Sequence, residues 1–312
     1  MRKCLFRNGS IERDEIVMER PTTSEIISKV KYIELKTNRP VEGLISGAYL
    51  SAFKGTGIEF SQVREYQAGD DPRTIDWNVT ARMNHPFVKE FIEERDLTIV
   101  IVFDISRSSE FATIGSLKKD IGIELCASLA MSAIRNNDKV GLVLTSDIVE
   151  KYIPPRKGKK HAFRIIRETI FHEPVHDRTD LSVPLVKLSR ILKKKSVIFV
   201  ISDFQDDPQN LKKPLQVLKN RHDIIAVRLW DIREQELPDI GLIELEDEET
   251  GEQILVDTAD AGFRIRFKEM VESRNKKLSD VTKRLEIDMI EISTHEDWIK
   301  PILKFFKMRV DR

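Results

Sequence analysis

From Leu97 onward, short apolar runs alternate with amphipathic stretches, and this alternation limits the possible folds more than any other feature of the chain. Leu97 to Phe103 is a near-continuous apolar run, the pattern of a strand covered on both faces. Leu117 to Arg135 reads as a helix with a narrow polar stripe at Asp120, Glu124, Ser128 and Ser132, so it is expected to pack on nearly all sides. Val140 to Thr145 is the next strand, and Glu150 to Pro154 an edge strand. Leu181, Leu185, Leu188 and Leu192 recur at helical spacing before a second buried run, Ser196 to Ser202. Pro208 after Asp206 and Asp207 marks a helix start, with a break or restart expected at Pro214. Ile224 to Trp230 adds a further strand. This order implies an α/β fold with a central, mostly parallel sheet and helices on both faces.

The pattern changes on either side of that core. Residues 1–42 read as an accessory tail with one helix, capped at Thr22 or Thr23 and carrying Ile26, Val30 and Ile33 on one face. Residues 43–96 are punctuated by Gly43, Gly47, Gly55, Gly57 and Gly69, which predicts a β-rich segment of hairpins and turns. Residues 97–312 form the main domain. Within it, Leu242 to Asp257 reads as a hairpin around Thr250-Gly251. An amphipathic helix follows with Phe267, Val271, Leu278, Val281 and Leu285 on its face, then a strand at Asp288 to Ile292 and a closing helix with Trp298, Ile302 and Phe305.

Composition excludes several function classes. Lys and Arg total 52, as do Asp and Glu, so the chain carries no net charge to attract nucleic acid or anionic lipid. The basic runs Arg156 to Lys160 and Lys193 to Lys195 lack interleaved aromatics and read as solvated loop and helix end. Cys4 and Cys126 are the two cysteines, and a designed disulfide between them is not expected. Met1 to Ser10 lacks the apolar core of a signal peptide, and no apolar run approaches the roughly 20 residues needed to span a bilayer. A cytoplasmic location is expected.

The chemistry concentrates where the buried runs end. In a doubly wound sheet, ligands bind at the carboxyl ends of strands where connections diverge to opposite faces. Asp104, Ser106 and Ser108 follow the first strand, Asp203 follows Ser202, and Thr179 lies in the polar loop before the Leu181 helix. If the central strands lie side by side, Asp104 and Asp203 converge and the Thr179 loop closes over them. Two carboxylates and three hydroxyls are hard oxygen ligands, suited to Mg²⁺ or Mn²⁺ held partly through water. A position left for a carboxylate from another protein would make the ion a bridge and not a catalyst.

The D-x-S-x-S pattern with the later Thr179 and Asp203 resembles the metal-ion-dependent adhesion site of von Willebrand factor type A domains. A second resemblance rests on Gly55-Thr56-Gly57-Ile58-Glu59-Phe60, Arg64-Glu65-Tyr66, and the stretch from Gly69-Asp70-Asp71-Pro72-Arg73 to Ala81-Arg82. Phe87-Val88-Lys89-Glu90-Phe91 and Glu93-Glu94-Arg95-Asp96 continue it. These residues are similar to the signature of bacterial domain-of-unknown-function family 58. The resemblance implies a von Willebrand type A-like domain behind a β-rich segment, with Asp104, Ser106, Ser108, Thr179 and Asp203 as metal ligands. It also implies an adaptor role beside MoxR-type AAA+ ATPases in assembling or maturing protein complexes, with a client presenting a carboxylate. Thr145-Ser146-Asp147 departs from the Phe that many type A domains carry after the second core strand, which touches packing more than metal binding.

Other readings compete. Asp104, Ser106 and Ser108 would also serve as a strand-end turn satisfying backbone donors, and the protein as a metal-independent scaffold. A phosphohydrolase using Asp104 as nucleophile would expect a second Asp two residues on, where Ser106 stands, so no enzymatic activity is expected. Asp70, Asp71, Arg73 and Asp76 read as turn and salt-bridge residues joining the β-rich segment to the main domain, and Trp77 as a core residue. Pro174 between His172 and His176 removes the helix that a zinc pair would need.

Overall fold

The structure, a computed structural model, describes residues 4–7, 57–94, 97–106, 117–176, 179–247 and 253–310. The described strands are β1 (Cys4–Arg7), β2 (Gly57–Glu65), β3 (Phe87–Glu94), β4 (Thr98–Asp104), β5 (Lys139–Thr145), β6 (Val149–Arg156), β7 (Val197–Ser202), β8 (Asp223–Trp230), β9 (Leu242–Asp247), β10 (Gln253–Asp257) and β11 (Asp288–Ser293). The helices are α1 (Trp77–Met83), α2 (Lys118–Arg135), α3 (Lys159–Phe171), α4 (Ser182–Ile191), α5 (Pro208–Lys219), α6 (Ala261–Arg284) and α7 (Ile299–Val310). The expected helix at Thr22 to Ile33, the turns at Gly43 to Gly55 and the hairpin tip at Thr250-Gly251 lie outside the described residues. No helix among the described residues is long and apolar enough to cross a membrane.

Six strands form the central sheet in the order β11-β8-β7-β4-β5-β6, parallel except for β6, which runs antiparallel at one edge. The predicted α/β class therefore holds. Alternation along β4 divides its side chains between two faces. Val100 and Val102 join Ile198, Val200 and Ala226 under the leucines of α4 and α5 and Leu278 of α6. Phe103 points the other way, onto Gly122 of α2. β4, β5 and β7 are buried at nearly every position, as a sheet covered on both faces requires.

Two local expectations fare differently. Gly122, Leu125 and Leu129 are buried on α2, as are Ser128 and Ser132 from the polar stripe, so this helix is enclosed almost all round. Pro214 does not break α5, which runs unbroken from Pro208 to Lys219. Pro214 is buried, and its packing offsets the single backbone hydrogen bond that its ring removes.

β1 and β10 flank β9 in a separate antiparallel sheet, an unforeseen place for the polar N-terminal stretch. Val256 and Ile243 of this sheet, with Leu237, form a small cluster backed by Phe263 and Phe267 of α6.

The chain divides into two compact units, one of them Phe53–Leu97 and the other Met1–Ala52 with Thr98–Arg312. In the smaller unit β2 and β3 pair antiparallel with a bulge between Phe60 and Gln62. Three of its acids have partners within the unit. Asp70 accepts two hydrogen bonds from the Arg64 guanidinium, at 2.7 and 2.8 Å, which with the Gln67 backbone hydrogen bond hold its carboxyl at a pKa of about 2. Asp71 caps the 3-10 turn Pro72–Thr74, and Asp76 caps α1 through the backbone N–H groups of Asn78 and Val79. Trp77 is 69% exposed, contrary to the core position expected of it. As the first residue of a short helix with no buried residue, it has nothing of its own element to pack beneath.

Candidate functional site

The strand order places a switch point beside β4. The chain leaves β4 through α2 toward β5 on one side, and leaves β7, on the other side of β4, through α5 toward β8. Connections diverge there, and the carboxyl ends of strands at such a point are the usual ligand position in sheets of this kind.

Asp104 ends β4 and is 2% exposed. Parallel register sets Phe103 beside Ile201, which brings Ser202 level with Asp104. The Ser202 hydroxyl donates to Asp104 Oδ2 at 2.7 Å, and the Ser106 backbone N–H donates to Oδ1 at 3.0 Å. Ser106 is fully buried in the turn after the strand. Asp203 follows Ser202, and its Oδ1 accepts the Gln205 backbone N–H at 3.2 Å. Phe204, the next residue, takes φ 52° although it is bulky and buried, and its N–H donates to Ser202 Oγ at 3.0 Å. A left-handed phenylalanine costs about 1–2 kcal/mol and persists only where the surroundings over-determine it. Ser202 therefore orients Asp104 and fixes the turn carrying Asp203 at once.

Thr179 is buried in the loop before α4. That loop is tied to the one after β7, because the Leu181 N–H donates to Asp206 at 3.0 Å. Ser108 lies outside the described residues. Asp104, Ser106 and Asp203 thus stand at the ends of neighbouring strands, with the Thr179 loop anchored to the Asp203 loop.

A residue of another kind completes the cluster. Lys118, at the start of α2, is 1% exposed, with its ammonium 3.2 Å from Asp203 Oδ2 and 2.6 Å from Glu234 Oε1. Burial opposes its charge, but Asp203 and Glu234 outweigh that and hold its pKa well above the ordinary lysine value. Glu234 also accepts the Asp231 N–H in a reciprocal cap of the 3-10 turn Ile232–Glu234, and Asp231 in turn accepts from the Thr294 hydroxyl at 2.6 Å. From α6, Arg274 donates to Gln205, and Asn275 donates to Gln235 at 2.8 Å, so one helix grips both loops. Burial and the neighbouring Arg228 lower the Arg274 pKa, opposed by Asp203 and Glu234.

Lys118, Ser202, Asp231, Glu234 and Thr294 were not foreseen as site residues. One signal existed: Lys118 falls on the helical face of Gly122, Leu125 and Leu129, where a charge needs a buried partner. The two histidines go to separate carboxylates, His176 to Asp147 at 2.9 Å and His172 to Glu150 at 3.8 Å.

The oxygen donors Asp104, Ser106, Thr179 and Asp203 are all buried, and the Lys118 ammonium and the Arg274 guanidinium act on Asp203. That chemistry fits a hard divalent cation. Among the described residues no group of three or more His, Cys, Asp or Glu side chains is placed to hold a metal ion.

The family model described as "Protein of unknown function DUF58" matches residues 62–277. An uncharacterized protein of Mycobacterium tuberculosis is 28% identical over 287 residues, covering 91% of this chain and 90% of that protein. A shorter one from Mycobacterium avium is 31% identical over 159 residues, 50% of this chain and 93% of its own. Among solved structures, BatB from Bacteroides thetaiotaomicron aligns with a TM-score of 0.46 at 12% identity, covering 69% of this chain and 100% of that one. A von Willebrand factor type A protein from Catenulispora acidiphila aligns at 0.41 and 12% identity, over 69% of this chain and 42% of its own.

Proposed function

Because this chain belongs to the DUF58 family of proteins of unknown function, we propose that it is a non-enzymatic protein-interaction module whose contact point is the polar carboxyl end of the central sheet. Asp104, Ser106, Ser108, Thr179 and Asp203 would hold Mg²⁺ or Mn²⁺ there, and the ion would offer a positive charge to a carboxylate of the partner. The observation that carries this reading is the pair of buried carboxylates, Asp104 and Asp203, at the ends of adjacent parallel strands where the connections diverge. The proposal extends to a MoxR-type AAA+ ATPase as the protein it serves in the cytoplasm, on the resemblance of the Gly55 to Asp96 segment.

Catalysis by Asp104 is the poorer use of this geometry. Aspartyl-phosphate chemistry would expect a second Asp two residues on, where Ser106 stands. A metal-independent scaffold is the second reading, and Lys118 favours it by already giving Asp203 a cation.

Affinity capture on the full chain, with the MoxR-type ATPase of the same cell as prey, separates these. Retention in Mg²⁺, loss in chelator, and loss in Asp104→Ala support the metal-assisted contact. Retention in chelator and in Asp104→Ala overturns it in favour of the scaffold.

A further inference from the structure

A lysine buried at the first position of a helix needs an explanation. Its charge opposes the positive end of the α2 dipole, and its burial removes hydration that no surface lysine gives up. Two carboxylates repay it, and they are of unequal kinds. Glu234 belongs to a cap and is held by the Asp231 backbone, whereas Asp203 stands at the strand end that the proposed cation would use.

Resting on the divalent-cation reading above, we infer that Lys118 is a tethered cation sharing Asp203 with the divalent ion, and that it sets the affinity of the site by this competition. Asp203 Oδ1 accepts the Gln205 N–H and Oδ2 faces the Lys118 ammonium, so an arriving ion would share this one carboxylate's charge with Lys118 or draw Asp203 away from it. A fixed positive charge one carboxylate away also repels the ion directly. Glu234 sets how firmly Lys118 leans on Asp203. With Glu234 present the ammonium has a shorter contact to prefer, 2.6 against 3.2 Å, and Asp203 is partly released. Glu234 is thereby a positioning residue, acting on the ion through Lys118.

A role confined to stability and a role in affinity predict different results. The test is Mn²⁺ titration of the full chain by electron paramagnetic resonance, with thermal unfolding in Mg²⁺ and in chelator on the same samples. Lys118→Met is expected to bind Mn²⁺ at least about tenfold more tightly than the wild type, because it removes the competing charge. Its unfolding temperature in chelator falls below the wild type, and Mg²⁺ restores more of the loss than it adds to the wild type. Lys118→Arg keeps the charge and is expected to stay within about threefold of the wild type. Glu234→Gln leaves Lys118 with Asp203 as its one anionic contact of this pair, so Mn²⁺ binding weakens by about fivefold or more; this variant keeps the inference falsifiable if Lys118→Met does not fold.

The outcomes separate the two levels. Wild-type binding that Asp104→Asn abolishes, with Lys118→Met no tighter, overturns the inference and leaves the divalent site standing. Undetectable wild-type binding with measurable binding by Lys118→Met supports the inference and shows the lysine excluding the ion. No binding by either protein overturns both, and unchanged binding by Glu234→Gln overturns the coupling through Lys118.

Discussion

Gly122 of α2 faces the ring of Phe103, and there the packing of the sheet leaves no room for one more carbon. A Cβ on Gly122 would lie 2.3 Å from Phe103 Cε2 and 2.5 Å from Cζ, whereas carbon atoms rest about 3.5–4.0 Å apart. Gly122→Ala therefore forces helix and strand apart by about 1 Å or turns the ring. The ring is 1% exposed on a central strand, so neither adjustment is cheap. Overpacking of this kind costs up to about 3 kcal/mol. Alanine in a helix interior returns about 1 kcal/mol relative to glycine. The net loss is about 2 kcal/mol, read as a lower urea midpoint at unchanged slope and a melting temperature lower by roughly 4–8 °C. A double-mutant cycle isolates the cause: in a Phe103→Leu background Gly122→Ala is expected to cost nothing or to stabilise, a coupling of about 2 kcal/mol. A Gly122→Ala protein as stable as the wild type, or a coupling near zero, would refute the close approach of α2 to β4.

Two further perturbations test other parts of the fold. Asp207 caps α5 by accepting the Gln209 N–H at 3.0 Å, so Asp207→Ala should cost about 1 kcal/mol in urea unfolding without altering Mn²⁺ binding. His222 is 4% exposed, and burial, with Arg221 beside it, lowers its pKa below the ordinary 6.5. The folded protein then binds fewer protons than the unfolded chain as pH falls through 6.5, so this site's contribution is complete above that value and declines below it. Urea midpoints at pH 7.5 and 5.5 should differ less for His222→Gln than for the wild type.

The sheet was legible because its strands are buried on both faces, and a run such as Leu97 to Phe103 has few other places to go. The α2 span was legible for the same reason. Pro214 shows where local rules lost to tertiary packing: the ring that weakens an isolated helix is held in α5 by the core it enters. Trp77 shows the reverse, since apolar character alone cannot tell a core position from an exposed one on a seven-residue helix. Asp104 and Asp203 were visible as candidates because strand-end positions follow from the element order. Lys118 and Glu234 were not, because their pairing spans 116 residues and depends on α2 and the β8 loop meeting at one end of the sheet. Covariation between such positions is invisible in a single chain.

Three strand ends share one construction. Asp104 at the end of β4 takes a hydrogen bond from Ser202 of β7, Asp203 after β7 takes one from Lys118 of α2, and Asp231 after β8 takes one from Thr294 beyond β11. Each carboxylate is oriented by a donor from a different element, so its geometry is set before any partner arrives and little ordering entropy remains to be lost on binding. Two of the three donors are neutral hydroxyls, and the ammonium is shared with Glu234. The cations that meet these carboxylates, Lys118 and Arg274, are local to this edge, and the chain as a whole carries as many basic as acidic residues. Electrostatic interaction at this edge therefore acts at contact and steers nothing from a distance. On the reading proposed above, a compact cation, or a partner that brings one, would reach these carboxylates more readily than a basic surface whose side chains would have to be buried to reach Asp104.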